Sequence, residues 1–588
     1  MIPNKEQEII INHFINNKNG KRILLVEAPP GTGKTYTAVS TALHYIRSNM
    51  KQDSKYNKKV LILTFSKNAK AQIEKQLDDL DISNEGLGKY IEITNFHSFF
   101  QKYVWAYNKY LGLNENLMIA SPKQRRKLLT EKLSYISDYS GEDDDQYGWV
   151  ESLLEGEFYP LTHKGNIKPA VKRLIPYKEN IKNSIKELNK DGYIGFSDIG
   201  YYMKELLNKS SSLLKVIQNK YDMIILDEYQ DASDLQDEIV KKLIGEKNKA
   251  IFFADSKQMI YGWRGASPNR IIDLLKEYGN EIEQKALVTS MRFKNQKDIE
   301  GLIKNARQET YDINGFKSSE NVKHIKIKVK DKNLFSKQSK NSMYASLKFK
   351  IIDILPKYEK RKDKSIGILC RYNEQVDFIK KALREDFKIS SQTISNNEEE
   401  HNIVCDLIEF LEKQRKDLSK DELSKEIAKY IFSVIYDDNI GAIKRTKLDE
   451  VKFANFKNAR LSLLKEIASF IEEAQESKDF LDCLVRSINT VKNGQLNVNH
   501  ENLYLVRKIL SSKKSTPEKI TDLFLQYQYL KAFKDLKGIY VLNVHQSKGR
   551  EFDFVYLVDT ETMSKESNLL YVALSRVKEK LVIFDWII

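Results

Sequence analysis

Residues 22–35 read RILLVEAPPGTGKT, and this stretch decides the fold. The run RILLVEA has the length and apolar content of a strand buried on both faces, and the residues after Lys34 continue as an apparent helix. Between them, glycines at positions 31 and 33 let backbone N–H groups wrap phosphate oxygens at a helix N-terminus. This is the context that a P-loop requires, so the sequence predicts a phosphate-binding site.

Other short apolar runs have the same character and fall into an early and a late group. Strands buried on both faces belong to parallel sheets, which need crossover helices between their strands. We therefore predict an α/β fold with two parallel-sheet cores, each carrying a mainly helical insertion. The early runs are KVLILTF (59–65), YDMIILD (221–227) and AIFFAD (250–255), and the late runs are SIGILC (365–370), GIYVLNV (538–544) and FVYLVD (554–559).

Local patterns add three expectations. Ser419 and Glu422 form a capping-box pair that predicts the start of a helix. Residues 324–330, HIKIKVK, alternate strictly and predict a half-exposed edge strand. A series of lysines recurs mostly every fourth residue, which favours a solvated helix face over a track for duplex nucleic acid. These lysines are Lys164, Lys168, Lys172, Lys178, Lys182, Lys186 and Lys190.

Composition limits the class of protein. The chain has 588 residues, and 97 Lys and Arg against 82 Asp and Glu give a net charge of +15, which attracts polyanions such as nucleic acid. Three scattered cysteines match neither a disulfide framework nor a metal site and suggest a reducing compartment. The N-terminus does not resemble a signal peptide, and no run approaches membrane-spanning length. A cytoplasmic location without membrane contact is expected.

The run YDMIILDEYQD (221–231) ends an apolar strand with two carboxylates. Beside a P-loop, Asp227 is suited to hold Mg²⁺, and Glu228 to orient and deprotonate a water molecule for in-line attack. Lys34 can reach the β- and γ-phosphates, and Thr35 can ligate Mg²⁺. Acidic pairs at strand ends are often only solvated turns, but the P-loop favours the functional interpretation. The first position of the P-loop is Ala28, where glycine is usual.

These blocks, with others in the same order, resemble the UvrD/Rep/PcrA group of superfamily-1 DNA helicases. The resemblance runs from Gln7, in the position of the Q motif, to Arg576, and it covers the two cores better than the insertions. The matching segments are TFSKNAKAQI (64–73), NFHSFF (95–100), DEYQD (227–231), ADSKQMIYGWRGA (254–266), SMRF (290–293), ILCRYNEQVDFIKKAL (368–383), HQSKGREFD (545–553) and LLYVALSRVKEKL (569–581).

The resemblance implies two RecA-like P-loop motor domains with ATP bound between them. The first would comprise residues 1–100 and 196–290, with a helical insertion at 101–195. The second would comprise 291–394 and 536–588, with a helical insertion at 395–535. Cationic side chains that face the γ-phosphate from the second domain would then couple hydrolysis to domain closure.

Site residues follow from the same resemblance. Thr35 and Asp227 would bind Mg²⁺. The catalytic groups would be Glu228, the γ-phosphate sensor Gln258 and the arginine fingers Arg292 and Arg576. The ATP-binding residues would be Gln7, which would read the adenine edge, Ala28, Pro29, Pro30, Gly31, Thr32, Gly33, Lys34, Thr35, Tyr36, and Glu551, which would contact the ribose.

The sequence departs from the family at four positions. Tyr36 and Met291 stand where an arginine and a tyrosine usually sandwich the adenine, so selection of ATP over GTP rests mainly on Gln7. Asn95 stands where threonine is usual, and Arg550 where leucine is usual.

A motor on single strands needs aromatic platforms for base stacking and cations for the phosphates. Core packing is the alternative role for each aromatic side chain, and the motif context favours the stacking role. The residues implied for the DNA track are Phe65, Asn95, His97, Tyr261, Trp263 and His545.

We therefore expect an ATP-dependent helicase and translocase that moves 3′ to 5′ on single-stranded DNA and acts at junctions with duplex. A DNA-sensing ATPase subunit of a nuclease or anti-phage defence complex is the alternative, and a small-molecule kinase is disfavoured because it needs no second core. The last motif ends close to Ile588, so we expect no C-terminal nuclease, and a separately encoded nuclease or effector as partner.

Overall fold

Two parallel β-sheets form the framework of the larger of two compact units in the computed structural model of the protein. This unit comprises Met1–Ala120, Arg126–Ile394 and Ala532–Ile588, and the other comprises Ser121–Arg125 and Ser395–Lys531. The structure describes residues 2–16, 20–53, 55–65, 67–81, 86–120, 122–156, 158–161, 166–262, 265–310, 318–328, 364–387, 403–404, 407, 419–431, 454, 462–477, 480–490, 500–510 and 538–587.

The first core is a six-stranded parallel sheet. Its spatial order is β3-β2-β6-β7-β1-β8. The side chains of β1 alternate between two apolar clusters, with Ile23 and Leu25 on one face and Leu24 and Val26 on the other, as expected for a strand covered on both sides. The strands are β1 (Ile23–Glu27), β2 (Lys59–Thr64), β3 (Ile91–Asn95), β6 (Tyr221–Leu226), β7 (Lys249–Ala254) and β8 (Ile282–Ala286).

Strand order in this sheet brings the motifs together. The strands β6, β7 and β1 are neighbours, with Leu226 opposite Phe252 and Glu27 opposite Ala254. Because all of them are parallel, the segments that follow their carboxyl ends emerge at the same edge. The P-loop, the pair Asp227 and Glu228, and Asp255 therefore begin side by side.

The second core is a five-stranded parallel sheet in the order β11-β10-β12-β13-β9. Helices pack on it through an apolar cluster that includes Phe293, Leu302, Phe552 and Leu570. Its strands are β9 (Val322–Lys328), β10 (Ser365–Cys370), β11 (Gly538–Asn543), β12 (Phe552–Val558) and β13 (Val577–Ile587).

Helices connect and cover the strands of the two cores. They are α1 (Lys5–Ile11), α2 (His13–Asn16), α3 (Lys34–Gln52), α4 (Lys67–Asp81), α5 (Phe96–Ala106), α6 (Pro122–Lys132), α7 (Asp144–Ser152), α8 (Pro169–Lys172), α9 (Lys178–Lys190), α10 (Asp198–Lys209), α11 (Ser211–Lys220), α12 (Asp234–Leu243), α13 (Arg270–Tyr278), α14 (Lys297–Arg307), α15 (Asn373–Phe387), and, after the smaller unit, α20 (Val544–Ser547), α21 (Thr560–Ser564) and α22 (Ser567–Leu574). Short 3₁₀ turns lie at Leu87–Tyr90, Ile175–Tyr177, Tyr229–Asp231, Ser256–Gln258 and Gly279–Glu281.

Between β3 and β6, several helices enclose a small core around Trp149, and β4 (Met118–Ile119) pairs with β5 (Tyr193–Ile194). The basic stretch here is interrupted rather than one helix. Proline lacks a backbone N–H and is tolerated only in a first turn, and α8 begins at Pro169 while the 3₁₀ turn contains Pro176. Lys168 pairs with Asp145, which favours a structural role, and Lys164 lies outside the described residues.

The smaller unit is helical within its described residues. Its helices are α16 (Lys420–Tyr430), α17 (Ser462–Ser477), α18 (Phe480–Thr490) and α19 (His500–Leu510). Ser419 caps α16, with its hydroxyl accepting from the N–H of Glu422 while the Glu422 carboxylate accepts from the N–H of Ser419. The predicted capping box is confirmed.

The predicted fold class is confirmed, because both cores are parallel sheets that carry helical insertions. All seven predicted buried strands are present, and β9 is an edge strand, as residues 324–330 predict, although 329 and 330 lie outside the described residues. Sequence patterns missed β3 and β8, the two edges of the first sheet, and β13. No helix that the structure describes is both long enough and apolar enough to cross a membrane.

Candidate functional site

The loop between β1 and α3 is held in a shape that only glycine allows at two positions. Gly31 and Gly33 have φ angles of +78° and +86°. A Cβ atom at Gly31 would lie 2.8 Å from Cβ of Arg292, and one at Gly33 would lie 2.6 Å from Nε2 of Gln7. Because α3 begins at Lys34, directly after this loop, its free N–H groups and the loop form an anion-binding cradle.

Lys34 and the carboxylates after β6 form the charged centre of the site. Nζ of Lys34 lies 2.7 Å from Oε1 of Glu228. Burial alone would lower the pKa of Lys34, but the charges of Glu228 and Asp227 outweigh it and raise that pKa. Lys34 is therefore a firmly charged ammonium group at the mouth of the cradle.

The two carboxyl groups differ in their surroundings. Burial and then the charge of Glu228 raise the pKa of Asp227. Burial also raises the pKa of Glu228, but Lys34 and Lys548 outweigh it and lower that pKa. The surroundings thus favour the ionised form of Glu228, and an added cation would favour the ionised form of Asp227 as well.

Glu228 is held by backbone and side chain. Its φ angle of 56° lies in the left-handed region, and its Oε2 accepts a 2.6 Å hydrogen bond from Nε2 of Gln230. Oε1 of Gln230 accepts in turn from the backbone N–H of Asp255, at 3.0 Å. Gln230 thereby connects the segments that follow β6 and β7. Sequence patterns did not single it out.

The second core contributes two arginines to this edge. The backbone N–H of Met291 donates to the carbonyl of Gly31 at 2.8 Å, so the segment that carries Arg292 touches the P-loop. Arg292 donates to the carbonyl of Ser575 at 2.8 Å and pairs with Glu551. The structure therefore brings Arg292 and Glu551 together with the cradle.

Arg576 reaches the site from the end of α22. It is almost fully buried, and its Nη2 donates to Oε1 of Gln258 at 3.1 Å. Lys548 also crosses between the cores, with its Nζ 2.6 Å from Oδ2 of Asp231. Groups from both cores thus meet beside Glu228.

The residues that the resemblance implies for binding the adenine base mostly contact other residues of the chain. Gln7 accepts from the N–H of Asn4 at 3.0 Å and donates to the carbonyl of Thr32 at 3.2 Å. The Tyr36 ring is buried, while Met291 is partly exposed and lies 3.8 Å from the Asn4 amide nitrogen. Gln7 therefore binds the P-loop itself.

A magnesium ion fits the donor set at this edge. Thr35, the second residue of α3, is partly exposed, and Asp227 follows β6. Among the described residues, no group of three or more His, Cys, Asp and Glu could hold a metal ion. Magnesium characteristically binds through one or two protein oxygens, with phosphate oxygens and water completing its shell.

The residues implied for a DNA track lie in different environments. The Phe65 ring is partly exposed and packs on Phe96 at 4.9 Å between centroids. Asn95 is buried, and its side-chain oxygen caps α5 by accepting from the N–H of Ser98. Asn95 therefore has a structural role at the start of α5.

Tyr261 and His545 meet across the cores, since the Tyr261 hydroxyl donates to the His545 carbonyl at 3.2 Å and the two rings are 6.0 Å apart. Trp263 lies outside the described residues. His97 stacks on Phe196, with ring centroids 4.1 Å apart and an interplanar angle of 17°. Phe196 is 51% exposed, and sequence analysis missed it because a lone aromatic residue outside a motif is most often core.

Arg550 has an unusual environment. Its Nε is buried and has no hydrogen-bond partner in the part of the chain that the structure describes, and no carboxylate there pairs with its side chain. Burial lowers the pKa of Arg550 to about 10. The cation that replaces the leucine usual in this motif is therefore largely uncompensated.

Comparison with known proteins agrees with this arrangement. Residues 4–279 match the family model of the UvrD/REP helicase N-terminal domain, and residues 538–584 match that of the UvrD-like helicase C-terminal domain. Together the two matches span more than half of the chain. Residues 178–407 also match the model described as Schlafen group 3, DNA/RNA helicase domain.

Curated relatives are similar over nearly the whole chain. A probable DNA helicase II homolog of Mycoplasma capricolum subsp. capricolum is 24% identical over 97% of this chain and 84% of its own length. Its counterpart in Mycoplasma pneumoniae is 24% identical over 99% and 84%. The ATP-dependent DNA helicase PcrA of Staphylococcus aureus is 22% identical over 95% and 80%.

Replacing Arg550 by leucine is expected to stabilise the protein. A cation whose Nε is buried, and which pairs with no carboxylate among the described residues, costs free energy that an apolar side chain avoids, so we expect Arg550→Leu to raise the free energy of unfolding by about 1 kcal/mol. Thermal unfolding followed by circular dichroism measures the change. Arg371→Leu is the control, because Arg371 pairs with Glu566. A lower unfolding midpoint for Arg550→Leu than for Arg371→Leu would contradict the expectation.

Proposed function

The chain belongs to the UvrD/REP helicase family and is an ATP-dependent DNA helicase, and we propose that it moves 3′ to 5′ along single-stranded DNA by hydrolysing ATP between its two cores. The contact between Arg576 of the second core and Gln258 of the first carries the proposal of hydrolysis between the cores, and the 3′ to 5′ direction is what the family resemblance implies. Gln258 lies beside the phosphate cradle of the first core, and Arg576 reaches it from the second core. Hydrolysis would therefore depend on contact between the two cores.

In the proposed reaction, the P-loop N–H groups and Lys34 bind the phosphates, and Thr35 and Asp227 hold Mg²⁺. When bound, Mg²⁺ would neutralise charge on the β- and γ-phosphates. Glu228, the ionised carboxylate, orients the attacking water and accepts its proton. Gln230 fixes the Glu228 carboxylate for this task through the 2.6 Å hydrogen bond.

Arg292 and Arg576 are the proposed arginine fingers. Both come from the second core. The backbone N–H of Arg292 donates to the carbonyl of Gly31, and Nη2 of Arg576 donates to Oε1 of Gln258. Charge that develops on the transferring phosphoryl group would be stabilised by their guanidinium groups. Because Glu551 pairs with Arg292 and is partly exposed, contact of Glu551 with a ribose would also affect the position of Arg292.

The proposed DNA track runs over Phe65, the His97–Phe196 pair, and Tyr261 with His545. The exposed Phe196 ring, backed by the His97 ring, offers a flat face for a nucleobase. Base stacking on an aromatic ring is worth roughly 1–3 kcal/mol per base and tolerates any sequence. Tyr261 follows Gln258 by three residues, which would link the track to the phosphate site.

Strand displacement tests the proposal. The protein should unwind a duplex with a 3′ single-stranded tail in the presence of ATP and Mg²⁺, and should fail on one with a 5′ tail. Glu228→Gln should bind ATP and DNA but should not unwind the duplex, because it lacks the catalytic base. Lys34→Ala should instead lose affinity for the nucleotide. DNA-stimulated hydrolysis without displacement would favour the alternative of a DNA-sensing ATPase. No feature of the described structure favours a nuclease partner.

The arginine fingers should act on the chemical step. We expect Arg292→Ala and Arg576→Ala each to lower kcat for DNA-stimulated hydrolysis by about 10²-fold or more while changing the Kd for ATP far less. Lysine should rescue poorly, because the planar fork of arginine is lost. Stopped-flow binding and steady-state turnover give the two quantities. Normal turnover in either alanine variant would exclude that arginine as a finger.

Phe196→Ala should weaken the track without harming the phosphate site. Loss of one stacking platform is expected to raise the Kd for single-stranded DNA by about tenfold, while basal ATP hydrolysis stays unchanged. Fluorescence anisotropy with labelled oligonucleotides measures the affinity. Tyr110→Ala is the control, because that ring is also exposed but stacks on no described side chain. Equal affinities in the two variants would assign Phe196 to another role.

A further inference from the structure

Asp255, the residue after β7, is a fully buried carboxylate in the first core. Its Oδ2 accepts from Nε2 of Gln258 at 2.9 Å and from the hydroxyl of Tyr571 at 2.9 Å. A buried carboxylate is costly unless hydrogen bonds and a cation compensate its charge. The groups that compensate Asp255 therefore decide whether this arrangement is stable.

The compensating cation comes from the second core. Nη1 of Arg307, the last residue of α14, lies 3.2 Å from Oδ1 of Asp255. Helix α14 is anchored in the second core by Ile299, Leu302 and Ile303. Among the residues that the structure describes, no other cation lies within ion-pair distance of Asp255.

Arg307 makes two further contacts at the same place. It pairs with Glu27, the last residue of β1, and it donates to the Tyr571 hydroxyl at 3.3 Å. Both of its carboxylate partners belong to the first core, whereas Arg307 and Tyr571 belong to the second. Separation of the cores would break the two ion pairs and remove the Tyr571 hydroxyl from Asp255.

Asp255 fixes which way the Gln258 amide points. A carboxylate only accepts hydrogen bonds, so Gln258 must turn its NH₂ group toward Asp255. Its carbonyl oxygen, Oε1, then faces Nη2 of Arg576, as the structure shows. If Asp255 lost its anchor, the amide could rotate and place a donor against the guanidinium group of Arg576, which is unfavourable.

We propose that Arg307 is a positioning residue that makes the orientation of Gln258, and through it that of Arg576, depend on contact between the two cores. This inference rests on the proposed function and extends it, since Arg307 itself touches no reacting group. Its role differs from that of Arg270, whose partners Asp234 and Asp237 both lie in the first core. Arg307 bridges the cores, and so its contribution appears only when they meet.

The first test separates transition-state stabilisation from binding. We expect Arg307→Ala to lower kcat for DNA-stimulated ATP hydrolysis about tenfold and to weaken binding of ADP–aluminium fluoride by a similar factor, with a change of less than about threefold in the Kd for ATP. Arg307→Lys should recover part of the loss, because it retains the charge near Asp255. A loss of ATP binding as large as the loss of kcat would overturn the proposal.

Arg371→Ala is the matched control. The Arg371 side chain is 21% exposed and pairs with a carboxylate of its own core, Glu566, whereas that of Arg307 is 22% exposed and pairs across the cores. A general effect of removing a half-buried arginine would therefore appear in both variants. Equal losses of kcat in the two would assign Arg307 a merely structural role.

The second test asks whether Arg307 acts through Gln258. If it does, Arg307→Ala should cost little in a Gln258→Ala background, so that the double variant turns over ATP about as fast as Gln258→Ala alone. Multiplication of the two single losses would overturn the proposal. If the wild-type chain showed no DNA-stimulated hydrolysis, the proposed function would fail. The analogue affinities would still decide the role of Arg307, because they require no turnover.

Discussion

Compensation of buried charge is the constraint on which the candidate site depends. Glu228, Asp231 and Asp255 at the carboxyl edge of the first sheet each pair with a cation, and two of these ion pairs, Lys548–Asp231 and Arg307–Asp255, join one core to the other. Because a buried charge without a partner is far more costly than one with a partner, the two cores stabilise one another through the residues that surround the nucleotide cradle. Groups beside the proposed catalytic residues therefore also hold the two cores together.

The parallel sheet explains why such a concentration of charge is possible. The chain leaves its neighbouring strands β6, β7 and β1 at one edge, where helix N-termini supply N–H groups, so the charged side chains of the site lie off the two faces of these central strands. The apolar faces of the strands remain uninterrupted as a result. Sequence similarity assigns the chain to a family of ATP-dependent helicases, and the strand order independently places a phosphate-binding loop beside the carboxylates. The two observations therefore agree.

Many of the strands and site residues could be predicted from the sequence, and there are physical reasons why the others could not. Central strands were visible because burial on both faces demands continuous apolar runs, whereas β8, IEQKA, lies at an edge and carries polar residues. The P-loop and Glu228 belong to local motifs. Arg307 and Phe196 do not, and the role of Gln230, although it lies inside DEYQD, rests on its contact with Asp255. Contacts with distant residues and exposure are not encoded in a short pattern. The sequence shows that Arg550 departs from the family pattern, but only the structure shows that no carboxylate among the described residues pairs with it.

The left-handed backbone conformation at Glu228 has a cost in folding stability. A glutamate at a φ angle of 56° pays a conformational penalty that glycine would avoid, and the surrounding hydrogen bonds to Gln230 and the ion pair with Lys34 keep it there. Folding stability alone would therefore favour another residue in place of the carboxylate that we propose as the catalytic base. A glutamate with this backbone conformation gives up folding stability for the proposed activity, and it does so at a single residue.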